Sequence, residues 1–295
     1  MTAKSSDRTT CTERLVFTES TDGYTLAGAL FEPAGRKKAS TLVIWVHGIH
    51  LRFCEPEYVE IGRQVASQKV AFLSMNTRGQ DFGVWMRGRS EAKLAGSGWE
   101  LMHECTADLD GWLRFAASEG YANLVLAGHG FGGSKIIYHL SERHEPAVRG
   151  VVLVSCASIV RDMVKPEFHA RAEAMVAEGH GMDLLPWGTR PGVVSSTVSA
   201  QVLVARERLH RDLYGDGQRP PALTKIRVPV LAWFGEDEVK LGRDVNGLLE
   251  SMAQNLTSSP LVSTKVLPGT TYLCTGSEEM IAREVLEWVG RLRHR

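Results

Sequence analysis

The chain has no surplus of either charge: 34 Lys and Arg stand against 34 Asp and Glu over 295 residues. That balance removes the electrostatic footprint of a nucleic-acid binder or of a protein held on an anionic membrane surface. No run of about 18 apolar residues occurs, so no membrane span is expected. The first twelve residues are polar and lack an apolar signal core, so secretion is not expected either. Cysteine is sparse. The five, Cys11, Cys54, Cys105, Cys156 and Cys274, are odd in number and none is spaced as CxxC. That argues against a disulfide framework and fits reduced thiols in a cytoplasmic protein, each packed as a small hydrophobe. Internal repeats and low-complexity tracts are missing too. What is present is an ordinary globular composition, 43% hydrophobic and 23% charged, in a chain long enough to bury a large core.

Residues 14–19 and 24–31 read as two strands joined by the turn Thr21-Asp22-Gly23, an antiparallel hairpin. Residues 41–46 (TLVIWV) form a nearly continuous apolar run, the mark of a strand buried on both faces of a parallel sheet. Further strands are expected at 70–75, 124–127, 150–154, 228–234 and 262–267. Helical spacing of apolar residues covers 57–68, 104–117, 131–140 and 278–291. Strands alternating with helices mean βαβ units around a mostly parallel sheet of eight strands, with helices on both faces. The rhythm breaks at 158–220, where helices near 166–177 and 198–213 flank a Gly/Pro-rich patch. The expected organisation is a flexible 1–13, an α/β core made of 14–157 and 221–293, and a helical cap at 158–220 inserted over the carboxyl ends of the strands.

Four motifs follow in a fixed order: His47-Gly48-Ile49 after a buried strand, Asn76-Thr77-Arg78-Gly79 after the next, LVLAGHGFGG at 124–133, and VLAWFGEDE at 230–238. Together they resemble the α/β-hydrolase superfamily over about residues 14 to 293. A Gly-rich turn after a strand also occurs in phosphate-binding folds, but GHGFGGS misses GxGxxG at its last position and has Gly-Ser-Lys where a phosphate-binding loop needs Gly-Lys-Ser/Thr.

The resemblance implies a nucleophile elbow at Gly128-His129-Gly130-Phe131-Gly132, a sharp strand-to-helix turn that exposes one side chain above the sheet. Glycine stands at the apex, position 130. It tolerates the positive φ required there but supplies no nucleophile, so an acyl-enzyme cannot form at this position. Where the resemblance places the histidine, after Pro268-Gly269, the chain has Tyr272, a phenol that is a poor base at neutral pH yet still a donor. Glu238, with Asp237 beside it, falls at the acid position. Ser134 is expected to face helix packing, and Cys156 to lie near the carboxyl edge of the sheet. The paired loss of serine and histidine points away from serine hydrolysis.

Backbone N–H groups survive changes of side chain. The resemblance implies an oxyanion hole from the amides of Ile49 and Phe131, the latter at a helix N-terminus. His50 and His129 are candidate polar groups beside it, and Arg87, in the Arg-rich loop 78–89, a candidate contact for an acidic substrate group. Trp187, Met163, Met175 and Met182 are candidates for an apolar ceiling in the cap. No cofactor and no metal is called for. The expected partners are a small-molecule substrate or ligand and, in a homodimer, a second copy of the chain. Three functions compete: a lyase, dehydratase, isomerase or cyclase acting on a small carbonyl compound; a catalytically inactive ligand-binding or scaffold protein; and a hydrolase that activates water in the space left by Gly130.

Overall fold

The computed structural model describes residues 11–35, 38–156, 164–189, 196–215, 218–240 and 243–293. Residues 1–10 of the expected flexible terminus lie outside them. Residues 11–13 do not belong to a flexible terminus, because β1 (Cys11–Glu19) already starts at Cys11 and pairs antiparallel with β2 (Thr25–Pro33). The turn between them bends at Gly23, whose φ is +91°.

Next come β3 (Thr41–Val46), α1 (Pro56–Ser67) and β4 (Ala71–Met75). β3 carries its apolar run because both faces are covered. Leu42, Ile44 and Val46 point into one core, and Val43 and Trp45 into the other. Proline at the first position starts α1, where the missing N–H costs nothing. The hairpin β5 (Val84–Arg87) and β6 (Ala92–Ala95) follows as a separate two-stranded sheet. It replaces the loop expected around Arg87.

After the hairpin the chain runs through α2 (Cys105–Ser118), β7 (Asn123–His129), α3 (Phe131–Glu142) and β8 (Val148–Val154). Then come α4 (Pro166–Ala177), α5 (Ala200–Glu207) and α6 (Leu209–Tyr214), and finally β9 (Val230–Gly235), α7 (Glu236–Lys240), α8 (Val245–Asn255), β10 (Val262–Leu267) and α9 (Glu278–Arg293). The sheet order is β1-β2-β4-β3-β7-β8-β9-β10. Every pairing from β4 to β10 is parallel, and β2 joins antiparallel. Residues of α1 and α9, among them Tyr58, Ile61, Val285 and Trp288, fill one face; Leu109, Trp112, Ile136 and Leu249 from α2, α3 and α8 fill the other.

The helices between β8 and β9 pack around their own small core of Ala172, Leu185, Val198, Ala200, Val202 and Leu203. The expected single helix at 198–213 is two, α5 and α6, broken at Arg208. They are pinned to the loop after β6: the Ser199 N–H donates to Gly98 O at 2.9 Å, and Trp99 Nε1–H to Met182 O at 2.8 Å. Among the described residues, no helix is long and apolar enough to cross a membrane.

Candidate functional site

β7 delivers the chain to Gly130, which turns into α3 with φ 52° and ψ −118°. The Gly130 N–H donates to Val154 O at 2.7 Å, tying the apex to β8. Two residues on, Gly132 lets the helix start pass against the Val46 and His47 carbonyl oxygens, which any side chain there would meet. The space in front of the apex is filled. A β-carbon built on Gly130 would overlap the Tyr272 hydroxyl, with Cζ 3.3 Å away. The phenol therefore stands where a serine side chain would stand, and the room expected for a water beside Gly130 is taken. Burial pushes the Tyr272 pKa up, and nearby Cys156 and Glu238 push it further, so the phenol stays protonated.

His129 is fully buried and has no nitrogen left for a substrate, contrary to its candidacy as a binding residue. Nε2 meets Tyr272 O at 2.7 Å and Nδ1 meets the Tyr58 hydroxyl at 2.7 Å. The consistent tautomer carries its proton on Nε2, donating to the carbonyl and accepting from the phenol. Burial lowers its pKa to about 4. It locks the elbow to the loop that carries Tyr272. His47 is likewise spent: Nδ1 lies 2.7 Å from Gly48 O, and Nε2 accepts from Thr77 N–H at 3.1 Å and Thr77 Oγ1–H at 3.0 Å. Burial and the Lys135 charge hold it neutral, with a pKa of about 3. Lys135 Nζ in turn donates to Thr77 Oγ1 at 2.6 Å and pairs with buried Glu100 at 2.6 Å.

The other sequence candidates disperse. Glu238 is buried, accepts from Gly235 N–H at 3.1 Å and from Ser155 Oγ–H, and pairs with Arg243; Asp237 pairs with Lys240 near the surface. His50 has φ +63° and is hydrogen-bonded to Ser97. Arg87 is exposed on β5. Cys156 is sealed beneath the start of α3, its Sγ–H toward Gly128 O at 3.4 Å; burial raises its pKa, leaving an inert thiol. Three of the four ceiling candidates do not form a ceiling: Trp187 and Met182 are 75% and 46% exposed, and Met175 packs inside the inserted helices. Met163 lies outside the described residues.

Ile49 and Phe131, the two residues expected to offer amides, share a cavity of about 80 Å³. Its roof is Leu203, Leu209 and Leu213 from α5 and α6 with Val198 just before α5, and Ser134 stands on its floor, hydrogen-bonded to the Tyr214 hydroxyl at 2.9 Å. Ser134 thus lines the cavity instead of facing helix packing. Two further polar side chains line it with unpartnered buried nitrogens: His169 at Nδ1, and Arg206 at Nε and Nη1. Sequence reasoning missed both, because PEFHAR and RERLHR read as ordinary solvated helix faces. Among the described residues one group offers three possible metal ligands, Asp110, His139 and Glu145. It sits near the far end of α3, where Arg143 already faces Asp110 at 3.9 Å.

No family model matches the chain, and no curated protein matches its sequence. Solved structures do match. A soluble variant of monoglyceride lipase from Saccharomyces cerevisiae, in complex with a substrate analog, is 16% identical at TM-score 0.69, covering 98% of this chain and 99% of that one. Est1E from Butyrivibrio proteoclasticus with ferulic acid bound is 15% identical at TM-score 0.64, covering 95% and 100%. The α/β hydrolase GrgF from a Penicillium species is 16% identical at TM-score 0.65, covering 95% and 98%. Identities this low speak for architecture alone, and on that architecture, with its eight-stranded sheet and the glycine-rich turn into α3, this chain has the α/β-hydrolase fold.

Proposed function

We propose that this protein is a non-hydrolytic enzyme, a lyase, dehydratase, isomerase or cyclase, acting on a small carbonyl compound in the cavity between α3 and the inserted helices. One observation carries the reading. Ile49 and Phe131 line an apolar cavity in which, among the described residues, no side chain is an activated nucleophile, while Tyr272 fills the space in front of Gly130. Donors fixed in a dry site stabilise a developing enolate or alkoxide without forming a covalent intermediate. The N-terminus of α3 adds its partial positive charge at Phe131. His169 supplies a ring nitrogen free to take a proton from bound substrate. Tyr272, held protonated in front of the apex, closes the route to acyl transfer.

The test is solvent-deuterium exchange. Purified protein is incubated in D2O with a set of small enolisable ketones and keto acids, and α-proton loss is followed by NMR. The expected result is exchange of at least one compound above the buffer rate, abolished by His169→Ala and insensitive to fluorophosphonate. Binding without exchange across the set would favour the second reading, a ligand-binding protein. That reading draws support from the elbow itself, where His129, His47 and Glu238 are all committed to structural hydrogen bonds.

A further inference from the structure

Among the described residues, Arg206 is the cation on the cavity wall whose bonding capacity is almost wholly unspent. A guanidinium offers five N–H donors. Here Nη2 reaches Ser97 O at 3.2 Å, while Nε and Nη1 are buried without a partner. The group is held at the cavity by stacking on Phe131, 4.6 Å from the ring centroid. The nearby buried acid, Glu100, lies 2.6 Å from Lys135 and makes no hydrogen bond to Arg206. Two cations, Lys135 and Arg206, act on the single buried carboxylate of Glu100. An unsatisfied buried charge of this kind is costly unless an acceptor arrives from outside the chain.

The remaining walls say what accompanies that acceptor. Val164, Leu203, Leu209 and Leu213 offer hydrocarbon. Glu207, on the exposed side of the same cavity, repels a second negative charge. A dianionic phosphate is disfavoured there, and a single carboxylate is not.

We propose that the cavity is built for a small monocarboxylate, its carboxylate held by Arg206 and its hydrocarbon body under α5 and α6. The proposal deepens the functional reading above, since a carboxylate anchored at Arg206 leaves a second oxygen function to reach the Ile49 and Phe131 amides. Carboxylate binding at Arg206 nevertheless stands or falls by itself.

The experiment uses the full chain and a matched probe pair, phenylacetate and phenylacetamide, titrated by calorimetry against wild type, Arg206→Gln and Arg206→Lys. Wild type is expected to bind the acid about ten-fold or more tightly than the amide, the difference a charge-assisted contact makes. Arg206→Gln is expected to bring the acid down to the amide's affinity and leave the amide unchanged. Arg206→Lys is expected to restore part of the difference, because it keeps the charge without the planar fork. Equal binding of acid and amide by wild type, binding of neither, or an undiminished preference for the acid in Arg206→Gln would each overturn the proposal. If Arg206→Gln does not fold, the acid–amide contrast in wild type decides. Acid binding that depends on Arg206, with no deuterium exchange in any substrate, would sink the enzymatic reading and leave the carboxylate site standing.

Discussion

The elbow and the cavity beside it treat polar groups in opposite ways. At the elbow, His47, His129 and Lys135 are buried with their bonding capacity used within the chain. In the cavity, a few residues along α3, the partly buried Arg206 and His169 keep buried nitrogens without a partner. Fully satisfied networks rigidify a structure, whereas unsatisfied buried groups wait for a partner. The difference teaches that the histidines around Gly130 serve the framework. Among the described side chains that line the cavity, those with unpartnered buried nitrogens come from α4 and α5.

Substitutions can break or sharpen that contrast. The largest effect is expected at the scaffold. Glu100→Ala strands Lys135 as an uncompensated buried charge and should cost about 3–5 kcal/mol in urea unfolding. A loss below about 1 kcal/mol would show that the pair is not part of the framework. Tyr58→Phe removes the hydroxyl that serves His129 Nδ1 and lies 3.3 Å from the Gly48 N–H. The expected loss is about 1–3 kcal/mol.

Gly130→Ser adds a side chain at positive φ against the Tyr272 phenol, and a loss of about 1–3 kcal/mol is expected. In a double-mutant cycle with Tyr272→Ala the two changes should couple favourably, because removing the phenol makes room for the serine. Simple additivity would mean that the phenol does not occupy the serine position.

Acid should find the same scaffold. The folded-state pKa of His129, about 4, and of His47, about 3, lie below the ordinary imidazole value near 6.5. The unfolded chain therefore binds more protons. Stability from these two groups is complete above about pH 6.5 and is lost as pH falls toward 4 and then 3. Replacing His129 by Gln should reduce the pH slope of unfolding in that window by up to about 1.4 kcal/mol per pH unit, one proton's worth. The smallest effect is expected at Arg206. With most of its donors unspent in the free protein, Arg206→Gln should change stability by no more than about 1 kcal/mol in either direction. A larger loss would place Arg206 with the scaffold.

The parallel core was legible because its strands are buried on both faces. TLVIWV at 41–46 has no other reading at that length, and Pro56 and Pro166 mark the starts of α1 and α4. The β5–β6 hairpin was hidden because its residues alternate only weakly and Trp85 points outward, 70% exposed. α8 was passed over, although Asp244 caps it by accepting from the Gly247 N–H at 3.0 Å.

At the site, Gly130 and Tyr272 were each legible from motif position. Their contact was not, since it joins the turn after β7 to the loop after β10. Arg206 and His169 were illegible for a different reason. Their cost lies in burial without a partner, and burial on a short inserted helix leaves little trace in a charged sequence. The same limit explains the misplaced ceiling. Trp187 and Met182 look like lining residues by type, but the leucines of α5 and α6, with Val164 and Val198, take that place.

The central claim is that ligand chemistry has left the elbow apex for the cavity. It can be tested by following the backbone amides in ¹H–¹⁵N spectra during a phenylacetate titration. The account predicts that the Ile49 and Phe131 resonances shift together and saturably, with the Arg206 side-chain Nε–H moving alongside them and the Tyr272 amide little affected. Shifts centred on Gly130 and Tyr272, with Phe131 and Arg206 silent, would contradict it.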